Sequence, residues 1–77
     1  MLLTVELKDG RDASTAEIAI CCDDQGLEFL IKKLSSLRGK KDHLHLMTPA
    51  WAGSELSEKK QGGPDYELVN HLLLVKL

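Results

Sequence analysis

The sequence predicts a small α+β protein in which an antiparallel four-stranded sheet, in the order β-β-α-β-β, carries one amphipathic helix on one face. Apolar and polar residues alternate near the start of the chain, leucines at helical spacing follow, and alternation returns near the end. The 77 residues predict one domain, residues 1–77. Its core is thin, because a chain this short buries only about 60% of its unfolded surface.

The first two strands are predicted from alternation on both sides of the polar segment 9–15. A tight two-residue turn would place an apolar residue opposite a polar one. A longer connection instead pairs Val5 with Ile20 and Leu7 with Ile18. Since the register of a hairpin follows its apolar pattern, we expect the longer connection.

A helix follows, because Asp23 and Asp24 are favourable N-cap residues and Gly39 suits a left-handed C-terminal cap. Phe29 falls on the polar side of this helix. We interpret it as a partner contact, the alternative being that a loop covers it or that it is simply exposed. Five apolar residues form the stripe expected to pack on the sheet, namely Leu27, Leu30, Ile31, Leu34 and Leu37.

A third strand is predicted over Asp42–Met47, with its leucines on one face and its histidines on the other. Pro49 ends the strand because proline cannot donate to the ladder. A long connection then runs over residues 49–64. Loops above about 12–15 residues are often binding elements in compact domains. Trp51 lies in this loop, either at a partner interface or as a plug at one end of the core.

The segment Glu67–Leu77 has apolar residues on both faces and predicts a closing strand, with a helix over residues 65–73 as the alternative. One helix covers only one face of the sheet, so we expect self-association through the other face or through an edge strand. That second face carries Thr4, Glu6, Ala19, Cys21, His43, His45 and Met47.

Composition and charge argue against several classes of partner. Ten basic and twelve acidic residues give a net charge of −2, which does not suit nucleic-acid binding. No apolar run approaches the about 20 residues of a membrane span, and a signal-peptide pattern is absent. The adjacent Cys21 and Cys22 fit a reducing compartment. We expect a cytoplasmic protein without membrane or nucleic-acid partners.

Motifs for catalysis are not apparent. The serines lie outside any nucleophile elbow, and Gly62-Gly63 lacks the lysine of a phosphate-binding loop. We therefore expect a protein that is not an enzyme and uses no cofactor. His43, His45 and His71 are the candidates for a metal site, but a fourth ligand is not evident. We favour half-exposed strand histidines over a metal centre.

Three stretches together resemble the immunity protein 32 family of bacterial polymorphic toxin systems. They read HLHL at 43–46, TPAWAGSELS at 48–57 and ELVNHL at 67–72. The resemblance covers about residues 42–77. It implies a small cytoplasmic α+β protein, made beside a toxin that is often a nuclease, which it neutralises by direct binding. The matching positions are Trp51, Gly53, Glu55, Leu56, Ser57, Asn70 and His71.

The candidate partner-binding residues combine this loop with acidic groups that would oppose a basic toxin groove. They are Trp51, Glu55, Glu58, Phe29, Asp23 and Asp24. The alternative function is a small homo-oligomeric structural or regulatory module that responds to metal through its three histidines.

Overall fold

The computed structural model describes residues 1–10 and 12–77, which form five strands in two antiparallel sheets, one α-helix and one 3-10 turn. The three-stranded sheet has the order β2-β1-β4, and the two-stranded sheet pairs β3 with β5. The α+β class is confirmed, but the prediction of one four-stranded sheet is wrong. The elements are β1 (Leu3–Lys8), β2 (Glu17–Cys22), α1 (Asp24–Ser35), β3 (Asp42–Met47), the 3-10 turn (Pro49–Trp51), β4 (Tyr66–Val69) and β5 (His71–Lys76).

Asn70 divides the predicted closing strand Glu67–Leu77 into β4 and β5. The buried Thr48 donates its N–H to the Asn70 carbonyl at 3.0 Å and its Oγ1 hydroxyl to Asn70 Oδ1 at 2.8 Å. These bonds hold a corner, beyond which the chain leaves β1 and pairs with β3. The helical alternative over residues 65–73 is wrong.

The register between β1 and β2 is the predicted one. Val5 lies opposite Ile20 and Leu7 lies opposite Ile18. The predicted connection 9–15 includes Arg11, which lies outside the described residues. The apolar pattern, rather than the nearest turn signal, therefore sets this register.

Helix α1 begins where the sequence predicts it. The carboxylate of Asp23 accepts the N–H of Gly26 at 2.7 Å, which satisfies one of the free amides of the first turn. The helix ends at Ser35, earlier than predicted, and a turn continues from there to Gly39. Gly39 has the predicted left-handed conformation, with a φ of 76°.

The cap can be tested by comparing two neighbouring aspartates. Asp23→Ala should lower the free energy of unfolding by about 1 kcal/mol, because it leaves the Gly26 amide unpaired. Asp24→Ala should cost less, since Asp24 complements the helix dipole without capping a backbone amide of its own chain. Urea denaturation measures both, and equal losses would show that Asp23 is not the effective cap.

The helix is rolled relative to the predicted orientation. Gly26 is buried against the Leu2 carbonyl, where a Cβ would overlap the oxygen, so this side of the helix meets the sheet. Phe29 and Leu30 consequently pack against the core, partly buried. The expectation that Phe29 faces away from the core is wrong. Three residues of the predicted packing stripe are half-exposed instead, namely Leu27, Ile31 and Leu34.

The core lies between the two sheets and includes one residue of the long loop. Leu3, Val5, Leu46 and Leu56 are buried and in mutual contact. Leu56 is fixed by its own N–H, which bonds to the carbonyl of Met47 at 3.1 Å. The loop is therefore part of the packing of this domain. None of the described helices is long and apolar enough to cross a membrane.

The second face of the three-stranded sheet is closed by the same loop. The buried carboxylate of Glu6 accepts the Thr4 hydroxyl at 2.6 Å and the N–H groups of Gln61 and Gly62 at 2.8 and 2.7 Å. Thr4 and Glu6 are covered, and the histidines of β3 belong to the other sheet. The residues of the predicted second face therefore do not lie on one surface, and self-association through an edge strand stays a prediction.

Candidate functional site

The outer face of the two-stranded sheet carries histidines and apolar side chains next to each other. Residues opposite in register are Met47 and His71, His45 and Leu73, and His43 and Val75. Their strand neighbours Leu46, Leu72 and Leu74 pack into the core, so alternation turns this second set outward. We call this surface, together with the adjoining turn, the Trp–His face. It comprises His43, His45, Trp51, His71, Leu73 and Val75.

Four rings form a row along this face. The rings of His45 and His71 are stacked with centroids 4.9 Å apart, and His45 Nδ1 lies 2.7 Å from His71 Nε2. His43 meets His45 edge-on at 5.1 Å, and Trp51 lies 5.8 Å from His71. One of the two facing nitrogens must carry a proton and the other must accept it. The row is thereby fixed by a hydrogen bond as well as by stacking.

Trp51 is held on a turn whose backbone bonds are local. The carbonyl of Thr48 accepts the N–H groups of Trp51 and Gly53, both at 2.9 Å. Ala52 closes the turn in a left-handed conformation, with a φ of 63°. The Trp51 side chain is 54% exposed, so it does not plug the core. Because the turn is ordered in advance, a partner would not have to order it on binding.

The two predicted acids of this loop hold its backbone. Glu55 accepts the N–H groups of Ser54 at 2.7 Å and Met47 at 3.2 Å. Glu58 accepts the N–H of Ala50 at 2.6 Å. The Ser54 amide, and more weakly the Met47 amide, lower the pKa of Glu55 despite the opposing effect of burial. Both carboxylates therefore shape the turn that presents Trp51.

The face borders an open groove with a volume of about 680 Å³. Leu73 and Val75 supply its exposed apolar floor. Charged residues line the groove as well, including Asp42, which pairs with Lys40 at 3.2 Å. The groove is lined by Lys41, Asp42, His43, His45, Leu73, Val75, Lys76 and Leu77. An open groove of this kind fits the surface of a protein better than an enclosed small molecule.

The six predicted partner-binding residues fall into two groups. Trp51, Glu55 and Glu58 belong to the long loop, whereas Phe29 and Asp24 belong to α1 and Asp23 is its N-cap. Phe29 is half-buried, with the Lys33 Nζ 5.3 Å from its ring centroid. Asp23 caps the helix, and Asp24 is exposed in its first turn. The two groups are on different elements, and only the loop group adjoins the Trp–His face.

The sequence pattern made the histidines candidate metal ligands and gave no assignment of Leu73 or Val75 to the site. The alternation of β5 would have placed these two apolar residues on the same face as the histidines, had the pairing of β5 with β3 been known. Across residues 1–10 and 12–77, no group of three or more His, Cys, Asp or Glu side chains is arranged to hold a metal ion.

No family model, curated protein or solved structure matches this chain. The resemblance to the immunity protein 32 family therefore stays a prediction, and the geometry of the face has to support any function on its own.

Proposed function

We propose that this protein is a non-enzymatic immunity protein that neutralises a bacterial toxin by direct binding, with the Trp–His face as its contact surface. The exposure of Trp51 on an ordered turn carries the proposal. Tryptophan is enriched at interface hot spots because it combines a large apolar area with a polar N–H. Leu73 and Val75 extend the apolar area on the same side.

The distribution of charge around the face supports a protein partner. Leu73 and Val75 line the groove beside the face together with the charged residues Lys41, Asp42 and Lys76. Apolar groups combined with charged ones are common in protein interfaces. Histidine and lysine on this side also mean that the face is not strongly acidic. The proposal therefore specifies a toxin without restricting it to a nuclease.

The residues that carry the family resemblance divide by their position in the fold. Leu56 is buried, and Asn70 holds the corner between β4 and β5. Trp51 and His71, in contrast, are neighbours in the ring row of the exposed face. We assign toxin contact to this second pair and maintenance of the fold to the first.

Co-expression with the product of the adjacent gene tests the proposal. We expect that product alone to stop growth, and this protein to restore growth and to co-purify with it. The exposed helical variant Glu28→Gln is the control and should rescue as well as the wild type. A product without toxicity, or rescue without a stable complex, would contradict immunity by direct binding.

A further inference from the structure

We propose that the half-exposed flank of α1 binds a second copy of this chain, with the two helices antiparallel about a two-fold axis near Ile31. Leu27, Ile31 and Leu34 are 45%, 46% and 47% exposed, although they are the apolar residues of an amphipathic helix. The roll of the helix toward Gly26 leaves nearly half of each of these side chains exposed. This dimer surface does not depend on the immunity proposal, and its end at Leu34 and Arg38 lines a groove together with Val75 of the Trp–His face.

The spacing along this flank is that of a two-helix seam, the line along which two packed helices contact each other. Asp24, Leu27, Ile31, Leu34 and Arg38 follow one another at alternating intervals of three and four residues. This is a heptad pattern with apolar residues at its three central positions. Arg38 follows the end of α1, but its N–H bonds to the Ser35 carbonyl at 3.1 Å, so the turn extends the stripe.

The charges at the two ends of the seam select a second copy in the antiparallel orientation. Asp24 lies at the start of the stripe and Arg38 at its end, and both are exposed. An antiparallel pair centred near Ile31 places Asp24 beside Arg38 of the partner subunit and Leu27 near Leu34 of the partner subunit. A parallel pair would place like charges together. Antiparallel helices also align their dipoles favourably.

A competing mode would pair two copies through β2, which is an edge strand of the three-stranded sheet. Ile18 and Ile20 are exposed on this strand. The strand lacks a charge arrangement that selects its own copy, because Glu17 is its single charged residue. The charge pattern therefore favours α1, and the two modes make different predictions for substitutions.

The dimer should be weak, because one helix flank buries less than the about 1,200 Å² of a standard interface. Sedimentation equilibrium should show a mass that rises toward twice the 8.5 kDa of one chain across the micromolar range. Ile31→Glu should remain monomeric throughout with an unchanged circular dichroism spectrum. The matched variant Ile18→Glu, at an exposed isoleucine outside the seam, should dimerise as the wild type does.

Charge exchange tests the orientation. Asp24→Arg and Arg38→Asp should each weaken dimerisation about tenfold, and the double variant should recover most of the loss. A wild-type protein that stays monomeric at high micromolar concentration would overturn the proposal. The proposal would also be overturned if Ile18→Glu, rather than Ile31→Glu, abolished the dimer. The same holds if the double variant dimerised as weakly as the single variants. All of these measurements are made without a toxin, so they test the dimer and not the immunity proposal.

Discussion

Glu6→Gln should lower the free energy of unfolding by about 3 kcal/mol, out of a total of about 5–10 kcal/mol for a domain of this size. The carboxylate is buried and accepts hydrogen bonds from Thr4, Gln61 and Gly62 through its two oxygens. A glutamine offers only one of these oxygens. Its NH₂ group would face a donor, leaving buried polar groups unpaired.

Urea denaturation at neutral pH measures this loss. Glu28→Gln makes the same chemical change at an exposed position on α1 and should alter the free energy of unfolding by no more than about 0.5 kcal/mol. Similar losses in the two variants would show that the Glu6 carboxylate does not hold the loop onto the three-stranded sheet.

The same carboxylate predicts a pH dependence. Burial alone would raise the pKa of Glu6, but the hydrogen bonds from Thr4, Gln61 and Gly62 outweigh it and hold the pKa below its ordinary value of 4.5. A carboxyl whose pKa is lowered by folding stabilises the protein above its unfolded pKa, and this stability is lost as the pH falls through the folded pKa. The wild type should therefore lose stability below about pH 4.5, and Glu6→Gln should lose less.

Trp51→Ala should weaken toxin binding at least about 30-fold, which corresponds to about 2 kcal/mol. Its effect on the free energy of unfolding should stay below about 1 kcal/mol, because the side chain is half-exposed. The bonds that shape its turn come from the backbone of Thr48 and Pro49 and survive the substitution. Binding should thus change much more than folding.

Calorimetric titration of the toxin and urea denaturation measure the two effects. Ile18→Ala is a matched control, since it also removes a large exposed apolar side chain but lies on β2, outside the Trp–His face. If the control variant lost as much affinity for the toxin, the Trp–His face would not be the specific contact surface. Unfolding of Trp51→Ala would instead show that the tryptophan supports the core.

The features predicted correctly from the sequence depend on neighbouring residues. The Asp23 cap needs only the first turn of α1. The pairing of Val5 with Ile20 follows from two alternating runs on one hairpin. The strand Asp42–Met47 is likewise recognisable from its own alternation. In each case, the alternation or the capping residue lies within the element or hairpin that it predicts.

The features that the sequence did not predict depend on contacts between distant segments. The corner at Asn70 requires Thr48, and the roll of α1 requires contact between Gly26 and the start of β1. Glu6 looks like an outward residue in an alternating strand, yet residues near Gly62 cover it. A charged residue at an outward position gives no local sign that a loop will bury it.

The candidate site was predicted in part. The sequence left Trp51 either at a partner interface or as a plug of the core, and the structure shows its side chain 54% exposed. Glu55 and Glu58 were predicted as contact residues from their charge, but their bonds to the loop backbone could not be inferred from spacing. The row from His43 to Trp51 depends on the pairing of β3 with β5 across the corner at Asn70.

Titration of the isotope-labelled protein with an inactive form of the adjacent toxin, followed by NMR, tests the Trp–His face most directly. We expect the indole N–H of Trp51, the single tryptophan of the chain, and the amides of residues 43–48, 50, 51 and 71–75 to shift or broaden on binding. The signals of α1 should change little. Binding that perturbs α1 or β2 and leaves the Trp51 indole unchanged would contradict the assignment of this face to the toxin.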